Sequence, residues 1–159
     1  MIFVTVGSQM PFDRLVVAMD RWAGERPGCD VFAQVGKDGY RPSAMRFADS
    51  ISPRDFLATV ANSALIVAHA GMGSVLTALE FGKPIVLLPR QGALQETRND
   101  HQIATARWLM DRPGVFVAMC ESELPDAIGR AMDVPLAGRQ IPKHATPSLI
   151  SALREFIAH

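Results

Sequence analysis

The chain has 159 residues, 16 basic against 16 acidic side chains, and 48% hydrophobic residues. At about 100–200 residues per domain that length predicts one domain, 1–159, and the composition is globular rather than disordered. The even charge balance lacks the electrostatic footprint of a duplex nucleic-acid binder, and no apolar run in the body, residues 64–68 included, approaches the about 20 needed to span a bilayer.

Met1 runs directly into Ile2, Phe3 and Val4 without a charged leader, so no secretory signal is expected and a cytoplasmic location is. Residues 2–6 form a β-branched and aromatic run ended by Gly7 and Ser8, which predicts a buried strand. After Pro11, Leu15, Val16, Met19, Trp22 and Ala23 recur with the period of an amphipathic helix. Residues 31–35 read as a second strand, 36–43 as a loop and 45–48 as a short third strand. Ser52 then caps a helix with Pro53 in its first turn.

Residues 64–68 make a fourth strand, apolar throughout because both faces are covered. A helix follows over 71–81, with Val75, Leu76 and Leu79 inward, and a fifth strand over 84–88. A helix over 99–112, a strand over 115–118 and a helix over 123–132 complete the body. Residues 133–147 carry three prolines and read as a strap; Leu149, Ile150, Leu153, Phe156 and Ile157 lie on one stripe of a final helix, 148–158. Strands interleaved with helices in this way predict an α/β, doubly wound parallel sheet. Cys29 and Cys120 fit no metal-ligand spacing and read as buried free thiols.

In such a sheet ligands bind beyond the carboxyl ends of the strands, where the connections change sides. Three of those ends carry unusual chemistry. The first is Gly7, Ser8 and Gln9, with Asp13 and Arg14 close by. The second is His69-Ala70-Gly71-Met72-Gly73-Ser74, and the third is the stretch 90–102. Gly71 and Gly73 allow close backbone approach at a helix start, whose free N–H groups and dipole suit a phosphate. Ser74 adds a hydroxyl and His69 a ring N–H. The same residues also read as a tight strand-to-helix turn around a satisfied histidine, and spacing alone does not separate the two. A dinucleotide G-x-G-x-x-G and a Walker G-K-S/T are both missing, so nicotinamide and ATP readings lose ground.

Taken together, Phe3-Val4-Thr5-Val6-Gly7-Ser8, the 69–74 motif, Gly82-Lys83-Pro84 and Asn99-Asp100-His101-Gln102 resemble the C-terminal domain of glycosyltransferase family 28. Within it the chain is most similar to the short, stand-alone members, the bacterial exopolysaccharide transferases of the PssE type and the cytosolic subunit of the dolichyl-diphosphate N-acetylglucosamine transferase. The resemblance covers about residues 1–130. It implies the Rossmann-like, donor-binding half of a GT-B glycosyltransferase, reading a UDP-sugar without metal or other cofactor. A membrane-anchored partner subunit would bind a lipid-linked, polyprenyl-diphosphate acceptor and hold the chain at the inner membrane. Gly7, Ser8 and Gln9 would then border the donor; His69, Gly71, Met72, Gly73 and Ser74 would hold its diphosphate; Asp100, His101 and Gln102 would face the sugar hydroxyls. Many relatives carry a ribose-holding glutamate where this chain has Thr77, and Glu80 lies one helical turn on.

Arg90 and Arg98 flank the ligand edge, either as solvated loop residues or as forks for a donor uronate or the acceptor diphosphate. The general base of an inverting transfer is expected from the partner, because His69 and His101 are committed to the donor and His144 and His159 lie elsewhere. The final helix is a candidate docking element for that partner, or simply a cap on the sheet; self-association is left open. Two other readings remain: a stand-alone nucleotide-sugar hydrolase or epimerase, and a non-catalytic nucleotide-sugar-binding module.

Overall fold

The structure, a computed structural model, describes residues 1–134. The 148–158 helix and the 133–147 strap expected from the sequence lie outside the described residues, apart from Asp133 and Val134.

Six parallel strands, β1 (Ile2–Thr5), β2 (Val31–Gln34), β3 (Arg46–Ala48), β4 (Leu65–His69), β5 (Ile85–Leu88) and β6 (Val115–Val117), form one sheet in the order β3-β2-β1-β4-β5-β6. Successive strands are joined by crossovers, and the helices are α1 (Asp13–Gly24), α2 (Pro53–Asn62), α3 (Met72–Glu80), α4 (His101–Leu109) and α5 (Leu124–Asp133). The chain winds outward from β1 to β3, then returns to β4 on the other side of β1. The strand order therefore reverses between β1 and β4, and their carboxyl ends open a crevice.

Side-chain alternation along the strands builds two cores. Ile2, Val4, Val67, Val86 and Leu88 pack with Leu15 and Met19 of α1 and Leu124 and Ile128 of α5. Phe3, Ile66, Ala68, Ile85 and Leu87 face the other way, against Val60 of α2, Val75 and Leu79 of α3, and Leu109 of α4. Ser52 caps α2 as its sequence predicts, accepting from the Asp55 N–H at 3.1 Å, with Pro53 in the first turn. Most elements lie within two residues of their expected bounds. The clearest difference is α4, expected over 99–112 and formed over His101–Leu109, with Asp100 as its N-cap and Met110 as its C-cap; β4 runs one residue further than expected, through His69, which is still in register with Leu88 of β5.

The cysteine expectation is corrected. Cys29 is exposed and Cys120 is only partly covered, its sulfur 3.0 Å from the Ser122 hydroxyl. Cys29 lies in the turn before β2, outside both cores, so nothing packs over it.

The 36–45 segment is fastened to α1 by one buried carboxylate. Asp20 accepts from the backbone N–H groups of Ala44 (2.7 Å) and Ser43 (3.0 Å) and from the Tyr40 hydroxyl (3.0 Å). Burial alone would raise its pKa, but these donors outweigh it and hold Asp20 below the usual carboxylate range. Asp20→Ala leaves those buried donors unpaired and is expected to lower stability at neutral pH by about 1–3 kcal/mol, read as a lower urea midpoint with an unchanged slope.

Candidate functional site

At the end of β1 the Thr5 hydroxyl accepts from the Gly7 N–H (3.2 Å) and donates to Oε1 of Gln34 (2.8 Å). The Gln34 amide nitrogen in turn donates to the carbonyls of Gly7 (3.1 Å) and Asp49 (3.3 Å). Gly7 sits at φ +82°, a left-handed conformation that favours glycine. The turn after β1 is thus held open on its ligand side by a buried amide on the neighbouring strand.

At the end of β4 the His69 ring lies between two backbones. A Cβ on Gly7 would fall 2.6 Å from His69 Cε1, and one on Gly71 only 2.0 Å from His69 Nε2. Both glycines are required because the imidazole occupies the space a side chain would need. Gly71 is also the N-cap of α3, extended at φ −93°, ψ 131°, and no side chain caps the helix. The first N–H groups of α3 therefore have no side-chain partner, its first turn holds no acidic residue, and Ser74 lies there nearly buried. This is the geometry of an anion site.

His69 is kept neutral. Burial pushes its pKa down to about 4, the positive charge of Arg90 pushes the same way, and the Thr5 backbone opposes the shift only in part. Its Nδ1 is buried and makes no hydrogen bond among the described residues. A neutral imidazole at this position offers one N–H to a ligand oxygen without carrying charge itself.

These elements open onto one cleft of about 810 Å³. It brings together Gly7, Ser8, Gln9, His69, Gly71, Gly73, Ser74, Thr77, Arg90, His101 and Gln102 of the residues singled out in the sequence. Four others stand off its walls. Met72 packs against the core cluster of α2, α3 and α4, Glu80 is exposed near the far end of α3, and Arg98 is exposed. Asp100 turns its carboxylate to the Gly92 N–H (2.8 Å), within its own loop. The Thr77 hydroxyl donates to the Gly73 carbonyl one turn earlier (2.9 Å), leaving only its lone pairs for a ligand. His101 contacts Asn99 through Nδ1.

Arg90 is neither solvated nor turned to a ligand, contrary to both sequence readings: it is 3% exposed and its donors go to backbone carbonyls. A composition-based reading cannot see this, because the acceptors are main-chain atoms of a distant loop. Sequence reasoning also missed Gln34, although an amide inside a strand of a covered parallel sheet was the available signal. Lys37, Ser50, Ile51, Phe56 and Leu57 complete the cleft wall beyond β2 and α2 and carried no motif. The two carboxylates on the wall are already engaged, Asp49 with Arg41 and Glu96 with Arg14. Among the described residues no cluster of His, Cys, Asp and Glu side chains is placed to hold a metal ion.

Residues 1–125 match the glycosyltransferase family 28 C-terminal domain. The chain belongs to this family. Over 74 residues (46% of this chain, 18% of the relative) it is 31% identical to a UDP-N-acetylglucosamine–N-acetylmuramyl-(pentapeptide) pyrophosphoryl-undecaprenol N-acetylglucosamine transferase of Granulibacter bethesdensis. Its fold is similar to the glycosyltransferase of kitacinnamycin (TM-score 0.67, 17% identity, 97% of this chain and 39% of that one). It is also similar to a Streptomyces sp. SF2575 glycosyltransferase complexed with thymidine diphosphate (TM-score 0.60, 20% identity, 97% and 40%). The family 28 chain described here thus spans 18% of the curated relative and about two-fifths of these solved structures. The fold is that of the Rossmann-like C-terminal half of a GT-B glycosyltransferase.

Two outcomes follow from the imidazole between glycines. Gly71→Ala forces a Cβ into the His69 ring and is expected to lower stability by about 1–3 kcal/mol. Gly73→Ala, where a Cβ meets nothing within 4 Å, is expected to leave stability equal or raise it by up to about 1 kcal/mol; denaturation midpoints compare the pair. The second concerns pH. Between the ordinary His value of 6.5 and about 4 the unfolded chain binds a proton at His69 that the folded chain does not. The contribution of His69 to stability therefore falls as pH drops through that window and is level below it. His69→Asn is expected to flatten the pH 5–6.5 part of the stability curve by roughly 1 kcal/mol per pH unit.

Proposed function

We propose that this domain binds the diphosphate of a UDP-sugar and serves as the donor half of an inverting, metal-independent glycosyltransferase. The observation that carries the reading is the cradle at the β1–β4 switch, where the Gly7 turn, the neutral His69 ring and the uncapped start of α3 converge on one cleft. In a direct displacement the sugar C1–oxygen bond to the diphosphate breaks as the acceptor hydroxyl attacks, and charge grows on the departing diphosphate. N–H groups already aimed at that position stabilise the developing charge without reorganising. The α3 N–H groups, Ser74 Oγ and His69 are those donors here.

Around the diphosphate, Gly7, Ser8 and Gln9 border the donor and Gln102 and His101 face its sugar. Gln102 accepts from the Arg90 N–H through Oε1 (3.1 Å), which leaves its amide nitrogen to donate to a sugar hydroxyl. Ribose is held by Thr77 through a single acceptor. The apolar wall of Ile51, Phe56 and Leu57 suits the flat face of a base.

The acceptor and its binding surface belong to a second, membrane-anchored subunit. This reading follows the resemblance of the 3–8, 69–74 and 99–102 motifs to the short, stand-alone family members. The curated relative's name places its acceptor on pyrophosphoryl-undecaprenol, which supports a polyprenyl-diphosphate acceptor and a place at the inner membrane surface in polysaccharide biosynthesis. The general base comes from that partner, because His69 is held by the donor cradle.

Titration calorimetry with UDP-sugars in the presence of EDTA tests the reading. The expected result is binding that EDTA leaves unchanged and Gly71→Ala abolishes, with sugar transfer only when the partner is added. Absence of UDP binding would overturn it. UDP release by the chain alone would favour a hydrolase instead, and a donor-binding complex that never transfers sugar would favour a non-catalytic module.

A further inference from the structure

Arg90 is a charged side chain in the protein interior, and burying a charge is costly unless it is fully hydrogen-bonded. Among the described residues no carboxylate lies within ion-pair distance of it. Its guanidinium is ringed by main-chain oxygens instead. Nη2 donates to the carbonyls of Val6 (2.9 Å) and Met10 (2.7 Å), and Nη1 to those of Pro11 (2.7 Å) and Glu96 (3.4 Å). The Phe12 ring lies 4.6 Å from the guanidinium carbon. The side chain leaves the end of β5, reaches past the end of β4 and closes on the loop after β1.

Three of those four acceptors belong to the turn that carries Gly7, Ser8 and Gln9. The fourth belongs to the loop that leads into Asp100, His101 and Gln102. The Arg90 main-chain N–H meanwhile holds Gln102 Oε1. A second arginine repeats the fastening from the other side: Arg14 of α1 forks onto Glu96 (2.7 and 2.9 Å) and donates to the Pro89 carbonyl (2.7 Å). The loops after β1 and β5 are thus tied to each other independently of any ligand.

We propose that Arg90 is a positioning residue for the donor diphosphate, its guanidinium fixing the 6–11 turn around His69 and its main chain aiming the Gln102 amide at the same cleft. The proposal rests on the donor-binding reading above. A guanidinium is required because its planar donors reach several carbonyls at once; a lysine ammonium is a point charge and cannot hold the same set. Arg90 does not touch the ligand. It prepares the loop, so that binding need not order it. Its charge also reaches His69, whose other charged and titratable neighbour is His101.

The test uses the full chain and its Arg90→Lys and Arg90→Met variants. UDP affinity is read by calorimetry, and the His69 ring titration and the backbone order parameters of residues 7–10 and 12 in the free protein by NMR. In the wild type those order parameters are expected to be those of rigid backbone before UDP is added. Arg90→Lys is expected to fold, to lower them and to bind UDP about tenfold more weakly, with the His69 titration nearly in place. Arg90→Met is expected to weaken binding further and to move the His69 titration up toward its ordinary value. An arginine with only a structural role would lower the melting temperature and leave UDP affinity and the order parameters of the turn unchanged in the folded variants, and that result overturns the proposal. If neither variant folds, the wild-type order parameters decide: a 7–10 turn that becomes rigid only on adding UDP also overturns it. A wild type that binds no UDP overturns the donor reading and the positioning role with it, whereas equal binding by wild type and Arg90→Lys overturns the positioning role alone.

Discussion

The arrangement of this domain depends on one neutral imidazole wedged between two stretches of bare backbone. His69 fills the volume that side chains at Gly7 and Gly71 would occupy, so the ends of β1 and β4 approach each other through its ring. That approach brings the turn after β1 and the start of α3 into one cradle. Burial keeps the ring uncharged, which lets it sit beside the Arg90 guanidinium without strong repulsion. A charged imidazole there would face an arginine across a poorly solvated gap, and the two loops would be pushed apart.

Around that wedge the charge pattern is unusual in a useful way. The carboxylates on the cleft wall are neutralised by arginines that reach in from outside it, Arg41 on Asp49 and Arg14 on Glu96. Arg90 is hydrogen-bonded by carbonyl oxygens rather than by a carboxylate, and Glu96, the nearby anion that favours its charge, is itself paired with Arg14. The α3 N-terminus adds partial positive charge at the same edge. Under the donor-binding proposal, a cleft so lined would favour a doubly charged diphosphate by its field as well as by its hydrogen-bond donors. The same fastenings tie the loops together, and under that proposal a preformed cradle would direct binding energy to the developing charge rather than to loop ordering.

Much of the fold was legible along the chain. Apolar runs in β1, β4 and β5 gave covered parallel strands, the Ser52-Pro53 pair marked the start of α2, and glycines after β1 and β4 marked the ligand edge. Gly7, His69, Gly71 and Ser74, which meet at the β1–β4 edge, were singled out by glycine spacing at a strand-to-helix turn, although spacing alone left a purely structural turn as an equal reading. What was not legible was which polar residue serves the ligand and which serves the backbone. Arg90 and Asp100 look equally available in sequence, yet one is ringed by carbonyls and the other is turned to the Gly92 N–H. Gln34 looked like a strand residue and is the strut under Gly7. Cys29 looked buried by residue type, but it sits in a turn outside the cores.

The sequence by itself determined the periodicities, and with them the alternation of strand and helix, the parallel sheet and the edge on which a ligand would bind. Those properties follow from local spacing, since a strand repeats every two residues and a helix every 3.6. The tertiary structure alone decided the partners of the buried polar groups. Hydrogen bonds such as those from Arg90 to Val6, Met10 and Pro11 join residues about 80 positions apart and end on main-chain oxygens, which every residue carries. No residue type marks such an acceptor, so only the folded chain shows which carbonyls meet at one guanidinium.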